Sequence, residues 1–326
     1  MPNEFGILHA CSINGDGHGD VLTGDEIGRL IKDEEALAWV HLDATHPGAR
    51  TWLERETAYL DPIIIDALLA DETRPRMVMF DQGALMILRG VNLNDDAQPE
   101  DMVSIRLWID GSRIISLRRR RLKAVADLRE HLAEGTGPKD SADFIAMLTG
   151  HLFERMEPVL TELDEQLDDV EEEVMESPTP AARQTVNTLR KQAIMFRRYI
   201  APQRDVIAHL RTSELPWLDA MNKRRLQENL DMVIRYIEDL DAIRERAQIV
   251  KDELANGLAD RMNKNLYVLS VIAAIFLPLG FLTGLLGINV GGIPGSDNVS
   301  AFWVFVAGLF GIGGIQIATF KYLKWI

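Results

Sequence analysis

The 326-residue sequence has a single cysteine, Cys11, and fewer basic than acidic side chains. One thiol excludes a disulfide scaffold and a multi-cysteine metal cluster, and it suits a reducing cytosol. Lys and Arg number 35 against 50 Asp and Glu, and the formal net charge of −15 argues against a nucleic-acid partner. The phosphate-binding-loop pattern of ATPases is also missing, so neither a built-in ATPase nor another enzyme is predicted.

Charge is absent from two apolar stretches towards the C-terminal end, 266–286 and 301–320. Each has about 20 residues, which is enough for a helix to cross the ~30 Å hydrocarbon core of a bilayer. The stretches therefore predict two transmembrane helices. The alternative is a helical hairpin buried in a soluble core.

Basic residues mark the sides of these spans. Arg261 and Lys264 precede the first span, and Lys321 and Lys324 follow the second, whereas the loop at 287–300 has no Lys or Arg. The positive-inside rule then predicts a multi-pass protein of the cell inner (plasma) membrane with N- and C-termini in the cytoplasm.

Residues 1–140 alternate short β-rich runs with helical pieces, which predicts a cytosolic α/β domain. The runs are 37–43, 76–93 and 103–117, and Asp110-Gly111 inside the last is a hairpin-turn signal. Four arginines follow at 118–121. We expect a solvated helix start or a counter-charge for acidic neighbours there, with a phosphate or nucleic-acid patch as the alternative.

Residues 141–265 are almost wholly helical in pattern. One helix is expected at 141–176 with Ser141 as its cap, and a second at 181–211. The first has apolar residues from Leu160 to Val174 at three- and four-residue spacing, which predicts a buried face. A third begins near Pro216 and has apolar residues at three- and four-residue spacing, which predicts one buried face. If it continues into the first span, about 70 residues at ~1.5 Å each make a stalk of roughly 105 Å. The predicted class is an α+β membrane protein in three parts, 1–140, 141–265 and 266–326.

Two spans cannot enclose a water-filled path, so a pore requires several copies of the chain. One stripe of the first span has polar ends and an apolar, narrow middle: Asn263, Leu266, Ser270, Ala273, Leu277, Gly280, Gly284 and Asn289. A gated pore presents this pattern, because hydrophobic constrictions gate by dewetting. Plain helix packing is the alternative interpretation.

The tripeptide Gly287-Ile288-Asn289 directly follows the first span. A Gly-x-Asn sequence at the outer end of the penultimate of two C-terminal spans resembles the signature of the CorA family of divalent-cation transporters. Pro278 within the span, the long stalk helix and the basic C-terminal end match the same family. The resemblance implies a CorA-like funnel, a homopentamer in which five first spans line the pore and the second spans lie outside them.

The resemblance also implies roles for individual residues. Asn289 would form a ring of amide oxygens at the mouth, Gly287 would permit the tight backbone that presents it, and Asn263 would form a polar ring at the cytoplasmic end. Leu266, Leu277 and Gly280 would form the constricted wall, and Pro278 would kink the helix. Ile288 and the uncharged loop resemble the ZntB-like zinc branch, since the magnesium branch usually has Met between Gly and Asn.

The predicted cargo is therefore Zn²⁺, and no cofactor is predicted. No histidine or cysteine lies in a span, so transit is expected through weak, hydrated contacts. The resemblance implies coupling to a proton gradient. Since neither span contains Asp, Glu or His, coupling is expected to use cytosolic acids and pore hydration.

Two cytosolic features have a metal-binding interpretation and a simpler one. His9, Cys11 and His18 are weak candidates for a regulatory zinc site, against a polar N-terminal segment without a ligand. The acids of the 141–176 helix either concentrate divalent cations or form an ordinary solvated face. They are Asp164, Glu165, Asp168, Asp169, Glu171, Glu172 and Glu173.

Two other functions remain open. A magnesium or cobalt channel of the same family is the nearer alternative. A membrane-anchored coiled-coil scaffold or sensor explains the stalk and spans equally well, but it gives no reason for Asn289 or the charge-free stripe. The predicted partners are further copies of the chain, the bilayer and divalent metal ions, with no nucleic acid.

Overall fold

The computed structural model describes residues 4–33, 35–71, 74–288, 293, 295 and 297–324. These residues form two compact units, Met1–Lys251 and Asp252–Ile326. The first unit contains the α/β part and the helical part as far as Lys251. The three-part division expected from the sequence stays a prediction.

A seven-stranded mixed sheet forms the centre of the N-terminal unit. The strands follow the order β2-β1-β3-β7-β6-β5-β4. Among them β3 and β7 pair in parallel and the other neighbours are antiparallel. Their bounds are β1 Ile7–Ile13, β2 Gly19–Val21, β3 Ala38–Asp43, β4 Arg76–Met79, β5 Ala84–Gly90, β6 Val103–Ile109 and β7 Arg113–Arg118.

The hairpin predicted at Asp110-Gly111 is confirmed, since it joins β6 to β7. The Asp110 carboxylate accepts hydrogen bonds from the backbone N–H groups of Ser112 (3.0 Å) and Arg113 (2.9 Å) and so closes the turn. The run at 76–93, taken as one stretch, is two strands that turn at 80–83. Here Gly83 is required, because a Cβ at that position would lie 2.6 Å from the Trp108 ring.

Nine helices occur in the described part of the chain. They are α1 Asp25–Leu30, α2 Gly48–Glu56, α3 Pro62–Leu69, α4 Lys123–Glu134, α5 Ser141–Glu154, α6 Glu157–Glu176, α7 Pro180–Thr212, α8 Ala220–Leu286 and α9 Ala301–Tyr322. The expectation of one helix over 141–176 is wrong, since α5 ends before α6 begins. Pro158 lies in the first turn of α6, where a helix tolerates a residue without an N–H. In the interior of one continuous helix over 141–176, the same proline would break the helix. The cap of α5 is Asp140, whose side chain accepts from the N–H of Asp143.

The predicted apolar faces of the helical part are confirmed. On α6 the buried residues are Leu160, Leu163, Leu167, Val170 and Val174. On α8 they are Leu226, Leu230, Val233, Ile237, Leu240, Ile243, Ala247, Val250 and Leu254. Each set recurs at three- and four-residue spacing, so each helix buries one stripe and leaves its polar face in water.

The C-terminal unit contains the end of α8 and the whole of α9. Both helices are long and apolar enough to cross a membrane, and within the described chain neither apolar window is buried. The second span, predicted at 301–320, coincides with α9. The first lies entirely within α8, and the assigned helix runs through Pro278 to Leu286.

Candidate ion pathway

The predicted pore stripe lies on an open face of α8. Six of its residues have exposed side chains or backbone, namely Asn263, Leu266, Ser270, Leu277, Gly280 and Gly284, and Ala273 is half-buried. Leu277, at the middle of the stripe, is 70% exposed. A large apolar side chain with that exposure requires lipid or another protein surface to cover it.

The opposite side of α8 is the side that α9 covers. The half-buried residues there are Val271, Ala274, Ile275, Leu279 and Leu282. Because a helix turns ~100° per residue, Val271, Ile275, Leu279 and Leu282 lie about 120° to 160° around α8 from Leu277. Ala274 lies at the border of this side, about 60° from Leu277. The matching residues of α9 are Phe305, Val306, Leu309, Gly313, Gln316 and Phe320. A Cβ at Gly313 would lie 3.9 Å from Leu279 Cδ1, an ordinary packing distance, so Gly313 faces the Leu279 side of α8.

A hydrogen bond between the two helices lies at Pro278. Proline has no N–H, so the carbonyl of Ala274, four residues earlier, lacks its normal helical donor. The Gln316 side chain of α9 donates its Nε2–H to that carbonyl at 3.4 Å. Backbone groups in hydrocarbon must be satisfied by protein, and a neighbouring helix does so here. Sequence reasoning missed Gln316; its signal is an amide inside an otherwise apolar span.

The outer end of the stripe is partly described. Gly287 donates its N–H to the carbonyl of Thr283 at 2.9 Å and so closes the last turn of α8. A Cβ at Gly287 would lie 2.9 Å from the same oxygen, so the close backbone turn requires glycine. Ile288 is exposed, and Asn289 lies outside the described residues.

Within the stripe, Ser270 is the polar residue nearest the middle. Its hydroxyl donates to the carbonyl of Leu266 at 2.8 Å, one turn back in the same helix. The proton is thereby occupied, and the oxygen lone pairs face the open side as acceptors. Such an oxygen can meet a hydrated cation but cannot hold it as a firm ligand set would.

Comparison with known proteins identifies the family. The family described as CorA-like Mg²⁺ transporter protein matches residues 34–321. A divalent cation transporter, CmaX of Pseudomonas aeruginosa, is 40% identical over 99% of this chain and 98% of its own. The zinc transport protein ZntB of Yersinia enterocolitica is 36% identical over 98% of this chain and 96% of its own. The chain belongs to the CorA family.

The fold agrees with this membership. The solved structure of full-length CmaX matches the whole chain with a TM-score of 0.85 at 38% identity. The CorA-like fold predicted from the sequence is therefore confirmed, with a soluble α/β domain, a long helix and two C-terminal transmembrane helices. This CorA-family protein is a membrane protein, as its two charge-free spans predict.

The N-terminal zinc candidates do not form a metal site in the described chain of this CorA-family protein. No group of three or more His, Cys, Asp or Glu side chains able to hold a metal occurs among the described residues. Burial raises the pKa of the Cys11 thiol to about 12, so the thiolate that a metal needs is disfavoured. The His9 ring packs against Trp39 at 5.2 Å, while His18 lies 3.5 Å from Asp16.

The acidic face of α6 is partly neutralised in this CorA-family protein. Arg246 of α8 bonds Asp164 at 3.0 Å and Glu171 at 2.8 Å, and it also pairs with Asp168. Hydrogen bonds to Asp168 and Glu171 raise the pKa of Arg246 above its usual value. Three of the seven acids thus pair with Arg246, and a fourth, Glu173, accepts from the Thr179 hydroxyl at 2.8 Å. The sequence pattern of α6 alone does not reveal these partners.

Proposed function

We propose that the protein is a homopentameric transporter that moves divalent cations, chiefly Zn²⁺, across the inner membrane along a pore lined by α8. The observation that carries the proposal is the separation of the two faces of α8. Since α9 packs on one face, the stripe around Leu277 is left for contact with copies of itself about an axis. One chain cannot enclose a path, so the stripe becomes a pore wall only in an assembly.

Relatives support the choice of ion. One relative is named a zinc transport protein and another a divalent cation transporter. Ile288 between Gly287 and Asn289 agrees with the zinc branch. A stripe without carboxylate, histidine or thiol conducts by weak contacts, so we expect other divalent ions to compete with Zn²⁺.

The proposed roles follow position along α8. Asn289 meets the hydrated ion at the mouth, Gly287 allows the turn that presents it, and Asn263 lines the cytoplasmic end. The hydrophobic gate is formed by Leu266, Ala273, Leu277, Gly280 and Gly284, with Ser270 between them. Orientation follows the flanking Lys and Arg, with both termini in the cytoplasm.

Proton coupling, where present, is proposed to use cytosolic acids. Neither span contains Asp, Glu or His, so no buried carboxylate or imidazole can relay a proton across the membrane. The α6 acids that lie outside the Arg246 ion pairs, such as Glu165 and Asp169, are exposed to solvent and are proposed to exchange these protons. A proteoliposome flux whose pH dependence disappears only after a change within a span would contradict this.

Zinc flux into proteoliposomes tests the main proposal. Asn289→Ala is expected to lower the flux by at least about tenfold, equivalent to ~1.4 kcal/mol of barrier, with the pentamer intact by cross-linking. The matched control is Asn298→Ala in the same loop, because the Asn298 side chain accepts from the Ser300 N–H at 3.0 Å and is thereby engaged next to the start of α9. Its flux should stay near the wild-type value.

The outcomes separate the competing functions. If the wild-type protein assembles but transports no divalent ion into the proteoliposomes, the scaffold or sensor interpretation is favoured. The magnesium channel is the second candidate, because the matching family is described by Mg²⁺. Flux of Mg²⁺ that excess Zn²⁺ does not inhibit would favour it over zinc transport.

A further inference from the structure

A polar cavity of about 680 Å³ opens in the N-terminal unit, lined by β5, β6 and α7 together with the segments that follow α3 and β7. Its lining includes six arginines, Arg74, Arg89, Arg106, Arg119, Arg120 and Arg198, and two acids, Asp71 and Asp101. The formal excess is four positive charges in a protein whose net charge is −15. The proposed ion pathway does not use this cavity.

Arg106 is the unusual member of this arginine cluster. It lies in the interior of β6, pairs with Ile87 and Leu117 of the adjacent strands, and is 1% exposed. Its Nη2 donates to the carbonyls of Ala70 (2.9 Å) and Asp71 (3.2 Å). Its Nε and Nη1 find no hydrogen-bond partner among the residues that the structure describes.

A buried guanidinium with unused donors is costly unless an acceptor completes it. Burial and the neighbouring Arg119 and Arg89 lower the pKa of Arg106 to about 10, so it still carries its charge at neutral pH. Buried polar groups in native proteins are nearly always satisfied, which makes the unused donors evidence for a missing acceptor.

The neighbouring arginines are held in place around this point. Arg119 pairs with Asp71 and donates to the Leu69 carbonyl at 3.2 Å, while its Nε is buried without a partner in the described chain. For Arg119, this pair supplies an acidic counter-charge of the kind expected at the 118–121 run. Arg89 stacks over the Tyr199 ring at 4.1 Å and donates to the Met102 carbonyl at 2.6 Å. The cluster is thus a built surface with several fixed guanidinium groups.

We propose that this cavity binds a soluble anion carrying two or more linked phosphate groups, which completes the donors of Arg106 and neutralises the cluster. Guanidinium forks match the oxygens of phosphate in geometry and charge. The cavity volume lies within the ~300–1,000 Å³ typical of small-molecule sites. The bound anion would join α7, through Arg198, to the sheet, through Arg106.

Isothermal titration calorimetry with inorganic pyrophosphate tests the site. The full-length protein is placed in phosphatidylcholine nanodiscs, free of divalent metal. We expect saturable binding and a higher melting temperature. Arg198→Gln and Arg120→Gln should each weaken binding by about tenfold, since a charge-assisted hydrogen bond is lost. Both side chains are exposed, so neither change should unfold the protein.

The matched control is Arg121→Gln, because Arg121 is exposed, adjacent in sequence and absent from the cavity lining. Its affinity should equal that of the wild type. Arg106→Gln, if its melting curve shows a folded protein, should abolish the binding.

Three results would overturn the proposal. They are no binding to the wild type up to ~1 mM pyrophosphate, equal affinity in the Arg198, Arg120 and Arg121 variants, and citrate binding as tightly as pyrophosphate. Loss of pyrophosphate binding in nanodiscs that contain phosphatidic acid would assign the site to a lipid headgroup and so overturn the soluble source. Zinc flux does not enter these readouts, so the test is independent of the proposed function.

Discussion

Gln316 on α9 donates its side-chain amide to the main-chain carbonyl of Ala274 on α8, the carbonyl that Pro278 deprives of a helical N–H. The bond therefore replaces a missing main-chain hydrogen bond of α8, which an ordinary contact between two helices does not do. It lies on the α9-facing side of α8, so it also fixes which side of α8 remains open. A proline that weakens one helix is thus compensated by a side chain of the other.

This relationship predicts an interdependence of the two positions. Gln316→Leu should destabilise the protein by about 1 kcal/mol, because the Ala274 carbonyl is left unsatisfied in an apolar setting. In a Pro278→Ala background the same change should cost little, since the alanine N–H restores the helical bond. Thermal unfolding of the four variants in detergent gives the double-mutant cycle. An equal loss in both backgrounds would show that Gln316 does not satisfy the carbonyl.

The open face of α8 predicts that a reagent attached at Leu277 blocks zinc flux. In the Leu277→Cys variant, a cationic methanethiosulfonate reagent should attach to the new cysteine and block the pore. Zinc flux should then fall by at least about tenfold, which corresponds to ~1.4 kcal/mol of added barrier. The native Cys11 should not interfere, because it is 1% exposed and burial raises its pKa to about 12. Phe310→Cys is the control, since Phe310 is 78% exposed on the second span. Block of the Phe310 variant alone would place α9 at the pore.

The Arg246 contacts predict a salt-dependent loss of stability. Arg246→Met leaves Asp164, Asp168 and Glu171 without their shared cation, and repulsion within α6 then rises. Because these groups are partly exposed, the expected loss is only about 1 kcal/mol at low ionic strength, and it should shrink in high salt. Arg244→Met is the control on the same helix, since Arg244 contacts Asp241 at 3.2 Å. Equal losses in the two variants at every salt concentration would exclude a network effect.

The buried histidine of β3 predicts an acid sensitivity of folding. Burial, helped by Arg118, lowers the pKa of His41 to about 3, below its ordinary value of 6.5. The unfolded chain therefore binds a proton below pH 6.5 that the folded chain refuses, so stability falls as the pH decreases from 6.5 towards 3. Between pH 7 and pH 5 this single group contributes about 2 kcal/mol of loss.

Urea unfolding followed by Trp fluorescence measures this effect. His41→Gln should flatten the change in the unfolding midpoint between pH 7 and pH 5, whatever its effect at pH 7. His209→Gln, at an exposed histidine of α7, should keep the wild-type slope. A His41→Gln variant with an unchanged slope would remove His41 from the acid response.

Much of the fold follows directly from sequence pattern. The stripes from Leu226 to Leu254 and from Leu160 to Val174 are buried as the three- and four-residue spacing predicts. Both spans and the Asp110 turn also coincide with the structure. These features depend on local periodicity and turn chemistry, which one sequence contains in full. The predicted runs did not include β1, since its role depends on pairing with β3 on one side and β2 on the other.

The missed features are those that depend on long-range contacts. Arg106 is one charged residue within an apolar strand, and its surroundings come from α7 about 90 residues later in the sequence. The partner of Pro278 is Gln316, which is on another helix. The break between α5 and α6 was within reach, because Pro158 marks it. Asn289 lies outside the described residues, so its role stays a prediction.

The order of elements along the chain has a consequence for biosynthesis. All of the seven strands and the first seven helices precede residue 266, where the first apolar segment begins. At ~5–20 residues per second, a ribosome needs roughly 7 to 30 s to pass from the end of β7 at Arg118 to that point. The sheet, including its distant β3–β7 pair, can therefore close before the first of the two spans is synthesised. A slow-folding variant of the sheet should still be open at that time, and it should be cut by proteases more readily than the wild type.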